Sequence, residues 1–227
     1  MTLLRPLPLI GLGSLAAFAF LYFSFSAIGK AQNLPGCKVV SDSQVLLQEG
    51  QVDPSQTVAF WQNSPISPPS YLTQTLPQSE INVLGISDGE NKWIEIDLGR
   101  QQLTAHEGDQ IAFQSLISSG LWNSTPVGEY RIWYKVRSTK MEGGSRLNGT
   151  YYYLPNVPYA MFFRGDFGIH GTYWHSNFGR PMSHGCVNAP TNIAEKLFYW
   201  TQPSLPAGKY AVRSSADNPG TRVIIHK

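Results

Sequence analysis

Cysteine is nearly absent: the 227 residues hold only Cys37 and Cys186. Two cysteines cannot build a disulfide framework, so stability must come from an apolar core, for which this length suffices. Two dispositions remain open for them. Either Cys186 is a reactive thiol and Cys37 has no structural partner, or the two form a disulfide that disables Cys186 as a nucleophile. An excess of one charge sign is also lacking. The formal net charge is +2, which gives no electrostatic case for nucleic acid as a partner. No internal repeat is visible, and helical periodicity is scarce.

One long apolar run is present. From Pro6 to Gly29 no residue is charged, Arg5 precedes the run and Lys30 follows it. The run is longer than an ordinary signal-peptide core and long enough to span a bilayer. Residues 1–30 are therefore expected to act as a signal-anchor or signal peptide, with the membrane as partner. Leu34-Pro35-Gly36-Cys37 faintly resembles a lipoprotein box. Each of these readings places the bulk of the protein in the cell envelope, on the extracytoplasmic side. Residues 31–90 are rich in Ser, Pro and Gln and read as a linker, with Ser64–Ser70 its clearest spacer. Phe60, Trp61 and Tyr71 leave open a partly ordered segment that packs on the next domain or forms a small module.

From Asn91 to the C-terminus the pattern changes to strands. Trp93–Leu98 alternates apolar and polar residues, and Gln101–His106 and Ile111–Ser118 flank a turn at Glu107-Gly108-Asp109. Tyr130 to Arg137 reads as one half-exposed strand, with Arg131, Trp133, Lys135 and Arg137 outward. Tyr151–Tyr153 and Tyr159–Phe163 read as two strands split by Pro155 and Pro158. Tyr210–Arg213 and Thr221–Ile225 close the chain. A helix is predicted over Thr191–Thr201, with Ile193, Leu197 and Trp200 on one face. Asn192 and Glu195 have capping-box spacing. The expectation is a mostly-β domain over residues 91–227 with one helix after Cys186.

The chemistry concentrates in Ile169-His170-Gly171 and in Ser183-His184-Gly185-Cys186-Val187-Asn188. A thiol needs a base to become a nucleophile, and attack on a carbonyl needs donors for the oxyanion. These strings, with Ser124-Thr125-Pro126-Val127-Gly128-Glu129-Tyr130 and the hairpin from Trp93, resemble the L,D-transpeptidase (YkuD-like) catalytic-domain family. The resemblance runs from about residue 91 to the end.

It implies a β-sandwich and a cysteine acyltransferase of peptidoglycan biosynthesis without cofactor. Such an enzyme forms 3-3 cross-links between stem tetrapeptides through a thioester. The same site would work as an L,D-carboxypeptidase or exchange D-amino acids if the acceptor differed. A non-enzymatic cell-wall-binding protein is the alternative of another class. By the resemblance, Cys186 is the nucleophile, His170 the base, and the Gly171 carbonyl orients the imidazole. His184 is a second histidine whose role the resemblance does not fix. Backbone N–H groups of His184, Gly185 and Cys186 would form the oxyanion hole. Ser183 and Asn188 are candidates for fixing the loop or bonding substrate.

Between base and nucleophile, Gly171–Met182 carries Tyr173, Trp174, His175, Phe178 and Arg180. It reads as a lid over the stem peptide, with Tyr173, Trp174 and Arg180 as substrate contacts and Arg164 a further carboxylate partner. His170, His175, His184 and Cys186 also have the atom types of zinc ligands, but their spacing fits no standard finger, and no metal is expected.

Overall fold

A computed structural model describes residues 50–70 and 91–227. The chain divides into two compact units, Met1–Leu34 and Pro35–Lys227. The first unit, and with it the apolar run, lies outside the described residues, as does Cys37. Among the described residues no helix is long and apolar enough to cross a membrane.

The described residues form strands β1 (Ala59–Trp61), β2 (Ser64–Ile66), β3 (Lys92–Asp97), β4 (Gln102–Glu107), β5 (Gln110–Leu116) and β6 (Gly128–Arg131). Then come β7 (Tyr134–Gly143), β8 (Tyr152–Arg164), β9 (Phe167–Thr172), β10 (Val187–Pro190), helix α1 (Thr191–Trp200), β11 (Ala211–Arg213) and β12 (Arg222–His226). One sheet runs β5-β4-β3-β12-β6. The other is built on the long β8, which pairs with β7 along one edge and with β9 and β1 along the other; β10, β2 and β11 extend it. In β3 alternate residues Ile94 and Ile96 are buried, as the period-2 pattern requires. They meet Leu103, Met161, Ile169, Val187 and Val223, together with Leu197 and Phe198 of α1, in the main core. A second core gathers Ala59, Tyr134, Val136, Tyr152, Leu154 and Phe162.

Several elements differ from the sequence reading. Tyr130–Arg137 is two strands in two sheets, with the chain passing between them at Ile132 and Trp133. Alternation persists across such a crossing, so pattern alone hides it. Lys135, expected outward, is 1% exposed. Its ammonium donates to the carbonyls of Phe198 (2.5 Å), Thr201 (2.8 Å) and Pro203 (2.9 Å), at and just beyond the end of α1. The Phe198 carbonyl, in the last turn, lacks a helical N–H partner and lies at the negative end of the helix dipole.

The two segments around Pro155 and Pro158 are one strand. A register irregularity in the β7 pairing and left-handed Asn156 and Tyr159 (φ 55° each) carry β8 past both prolines. The capping box is absent: Pro190 precedes the helix with no side-chain cap, and Glu195 instead accepts from the Tyr159 hydroxyl at 2.6 Å. Finally, Ser64–Ile66 of the expected spacer is a strand antiparallel to β1. Neighbouring backbone, which composition does not reveal, supplies its hydrogen bonds.

Candidate active site

β9 and β10 run parallel, pairing Ile169 with Val187 and His170 with Asn188. Side chains alternate along a strand. Asn188 therefore faces the same side as His170, and the bend that holds Cys186 leads directly into β10 beside it. Gly185, at φ +144°, turns the chain into β10; a Cβ there would stand 2.5 Å from the Phe167 ring, so only glycine fits. Cys186 is fully buried and His170 1% exposed.

The Nδ1 of His170 lies 3.1 Å from the Gly171 carbonyl. A carbonyl only accepts, so Nδ1 carries the proton and Nε2 is left as the basic atom. Burial pushes the imidazole down to about 4. At neutral pH it is uncharged and ready to receive a proton. The Cys186 thiol donates to the Asp166 carbonyl at 3.6 Å.

The cysteine loop is held from within and from outside. Ser183 Oγ donates to the Cys186 carbonyl at 2.6 Å and accepts the Gly185 N–H at 3.0 Å. Gly185 N–H is thus committed to Ser183. From outside, residues 118–125 run along the loop. Ser118 bridges Asn188 and Gly120 bridges Ser183. The Thr125 hydroxyl accepts from Gly120 N–H (2.7 Å) and donates to the Gly185 carbonyl (2.8 Å).

The lid places Trp174 with its ring 5.7 Å from His170. His175 Nε2 accepts from Asn188 Nδ2 at 2.9 Å, and burial pushes the His175 imidazole down to about 4. The His184 ring packs at a tilt against Tyr152, with centroids 5.0 Å apart, and burial lowers its pKa. Trp174 Nε1, His175 Nδ1, His184 Nε2 and Asn188 Oδ1 are buried and have no hydrogen-bond partner among the described residues. Unmet buried polar atoms are costly, so these are the atoms a bound substrate satisfies best. The Tyr173 hydroxyl donates to the Pro155 carbonyl at 2.7 Å. Arg180 is exposed, and so is Arg164, which donates to the Tyr130 hydroxyl at 3.4 Å. Among the described residues no three His, Cys, Asp or Glu side chains converge as metal ligands.

The family model for the YkuD L,D-transpeptidase catalytic domain matches residues 91–225. The chain belongs to this family. It carries an L,D-transpeptidase catalytic domain on a two-sheet, mostly-β fold. Among solved structures it is similar to an Enterococcus faecium L,D-transpeptidase, at 26% identity and TM-score 0.45, over 60% of this chain and 50% of that one. An L,D-transpeptidase from Mycobacterium smegmatis matches at 18% identity and TM-score 0.49, over 60% and 59%. One from Xylanimonas cellulosilytica matches at 24% and 0.42, over 60% of each chain. This chain thus spans about half to three fifths of the length of these solved relatives. No curated protein matches it.

In this L,D-transpeptidase domain the sequence reading gave no role to Ser118, Gly120 or Thr125. The Thr-Pro string at Thr125 was the available signal, but its hydroxyl bonds show only in three dimensions. Gly120 has ordinary extended backbone, yet a Cβ there would stand 2.8 Å from Gly185 Cα and 2.9 Å from Gly185 N. Gly120→Ala must displace the nucleophile loop. The expected result is a loss of roughly 100-fold in Cys186 acylation, the scale of a misplacement near 1 Å, with most thermal stability retained. A variant acylated at the wild-type rate, followed by intact mass, contradicts it.

The buried histidines also set an acid limit. Unfolded histidine titrates near 6.5, whereas His170 and His175 titrate near 4 when folded. Between those values the unfolded chain binds more protons. The stability these groups contribute is full above pH 6.5 and is lost as pH falls towards 4. His170 alone is worth roughly 3 kcal/mol across that window. Denaturant midpoints at pH 7.5 and pH 4.5 should differ accordingly, and His170→Gln should flatten the difference.

Proposed function

We propose that the protein is a peptidoglycan L,D-transpeptidase that works through a Cys186 thioester. The observation that carries this reading is the pairing of β9 with β10. It sets the bend that carries the buried Cys186 thiol next to the strand that carries a neutral His170 imidazole, whose Nδ1 faces the Gly171 carbonyl, inside an L,D-transpeptidase domain. The thiol proton passes to His170 Nε2 as Sγ attacks the carbonyl of the third, diamino-acid residue of a stem tetrapeptide. Backbone N–H groups of the His184–Cys186 loop receive the oxyanion, with Gly185 N–H joining when it releases Ser183 Oγ. The amide C–N bond breaks and D-alanine departs with the proton from His170. A side-chain amine of a second stem attacks the thioester and gives its proton to His170. Sγ leaves and is reprotonated, and the 3-3 cross-link is complete. Trp174, Asn188 and His175 offer unmet polar atoms to the stem.

Incubating the protein with disaccharide-tetrapeptide and separating the products by mass tests the reading. A 3-3 dimer with released D-alanine is expected. Tripeptide alone would make the protein an L,D-carboxypeptidase, exchange of the terminal residue would make water-free acyl transfer to D-amino acids its chemistry, and unchanged substrate would favour a wall-binding protein. The peptidoglycan substrate and the apolar run at residues 6–29 together favour an extracytoplasmic, membrane-anchored enzyme. Membrane fractionation with N-terminal sequencing tests this: soluble protein beginning after residue 26 would overturn the anchor, and an acylated Cys37 would replace it with lipidation.

A further inference from the structure

Residues 59–66 lie outside the matched span 91–225, yet they are built into the catalytic sheet. β1 and β2 form a hairpin, and β1 pairs with β8 at Phe60 and Tyr153. Side-chain alternation then sends Phe60 and Trp61 to opposite faces. Phe60 lies against Tyr151, with ring centroids 6.2 Å apart, and under the Arg146 guanidinium at 5.4 Å. Trp61 goes to the active-site side. Its ring is 5.9 Å from Trp174, 5.9 Å from His175 and 6.4 Å from Tyr152, all within aromatic packing range.

Each of those three rings touches a group at the reaction centre. Trp174 packs on His170 at 5.7 Å, His175 holds Asn188 through a 2.9 Å hydrogen bond, and Tyr152 carries His184 at 5.0 Å. One side chain from the upstream hairpin therefore braces the lid, and stands one contact away from His170, Asn188 and His184 together.

We propose that Trp61, carried to the lid by the hairpin Ala59–Ile66, is a positioning residue of this active site. The far half of the lid is held by backbone hydrogen bonds from Gly179 to Ile117 and from Met182 to Ser119, whereas Trp174 and His175 lie in no strand or helix, so their placement depends on side-chain packing. Trp61 supplies a rigid surface for Trp174 and His175 at little conformational-entropy cost. With that surface the lid stays closed over Cys186, and the Trp174 ring fixes the plane of His170. Without it the lid loosens, the thiol becomes accessible, and the imidazole loses its alignment.

The consequence for Cys186 has opposite signs in two assays, each run well below the melting temperature of every variant because unfolding would also expose the thiol and slow acylation. The full chain is compared as wild type, Trp61→Ala, Trp61→Phe and Phe60→Ala. Acylation by a carbapenem, followed by intact mass, should slow roughly 10- to 100-fold in Trp61→Ala. Alkylation by iodoacetamide, read on the Cys186 peptide, should speed up in the same variant. Trp61→Phe should restore most of both. Phe60→Ala disturbs the same hairpin on its other face, and should lower thermal stability without changing either rate.

The acylation arm rests on the proposed function, whereas the alkylation arm does not. A wild type that resists the carbapenem while the alkylation pattern holds would count against the function and leave the role of Trp61 intact. A Trp61→Ala variant with wild-type alkylation, or a Phe60→Ala variant with equal effects, would overturn the positioning role.

Discussion

Cys186→Ala should end acyl-enzyme formation altogether, with the fold intact. Alanine fills nearly the same space at a fully buried position, and the held loop around it depends on backbone atoms and on Ser183 rather than on the sulfur. No carbapenem adduct and no D-alanine release are expected. Release of D-alanine by this variant from a tetrapeptide would refute the thioester. His170→Ala removes the proton acceptor from a site where burial already disfavours a free thiolate. A loss of about 10³-fold or more follows, at the upper end of what one general base supplies. His184→Ala should lose less, because that ring packs against Tyr152 and no reacting group is assigned to it. Equal losses would exchange the two roles. Single-turnover acylation by mass separates the three variants, and near-UV circular dichroism verifies that each is folded.

Lys135→Met should be the most destabilising of the substitutions considered, although it lies in no active site. The methionine keeps the apolar stem and removes the ammonium. The carbonyls of Thr201 and Pro203 then lose their ammonium donor in a buried site, and the Phe198 carbonyl keeps only the Thr201 hydroxyl at 3.3 Å. Burial pushes the Lys135 ammonium down to about 7. Losing one side of a buried, fully bonded charge costs about 3–5 kcal/mol. For a protein of this size that is on the order of a 10 °C fall in melting temperature. Helix α1 packs behind β9 and β10, so its loosening should also slow acylation. A melting temperature within about 2 °C of wild type would show that water reaches these carbonyls and that the cap is weaker than its geometry.

The β character of residues 91–227 and the helix after Cys186 were legible in the sequence because both follow from periodicity. Ile94 and Ile96 alternate, and Ala194, Leu197 and Phe198 share a helical face. The strings at Ile169–Gly171 and Ser183–Asn188 were legible because they are local. Where the pattern was ambiguous, context decided. Lys135 reads as a surface residue in any window, and only the end of a helix more than sixty residues away gives its charge a place. Pro155 and Pro158 read as breaks, and only a register irregularity joins the two segments into β8.

The sequence by itself determined the family, the nucleophile candidate and the base candidate, because family motifs keep reactive groups and their glycines close along the chain. The tertiary structure decided what surrounds them. It turned Thr125 onto the Gly185 carbonyl and set Gly120 against the nucleophile loop. It brought Trp61 from a segment read as linker to the rim of the lid. The reason is physical. Periodicity and motifs record the neighbours of a residue along the chain, whereas close packing and the hydrogen bonding of buried polar groups are satisfied by whatever the fold brings near.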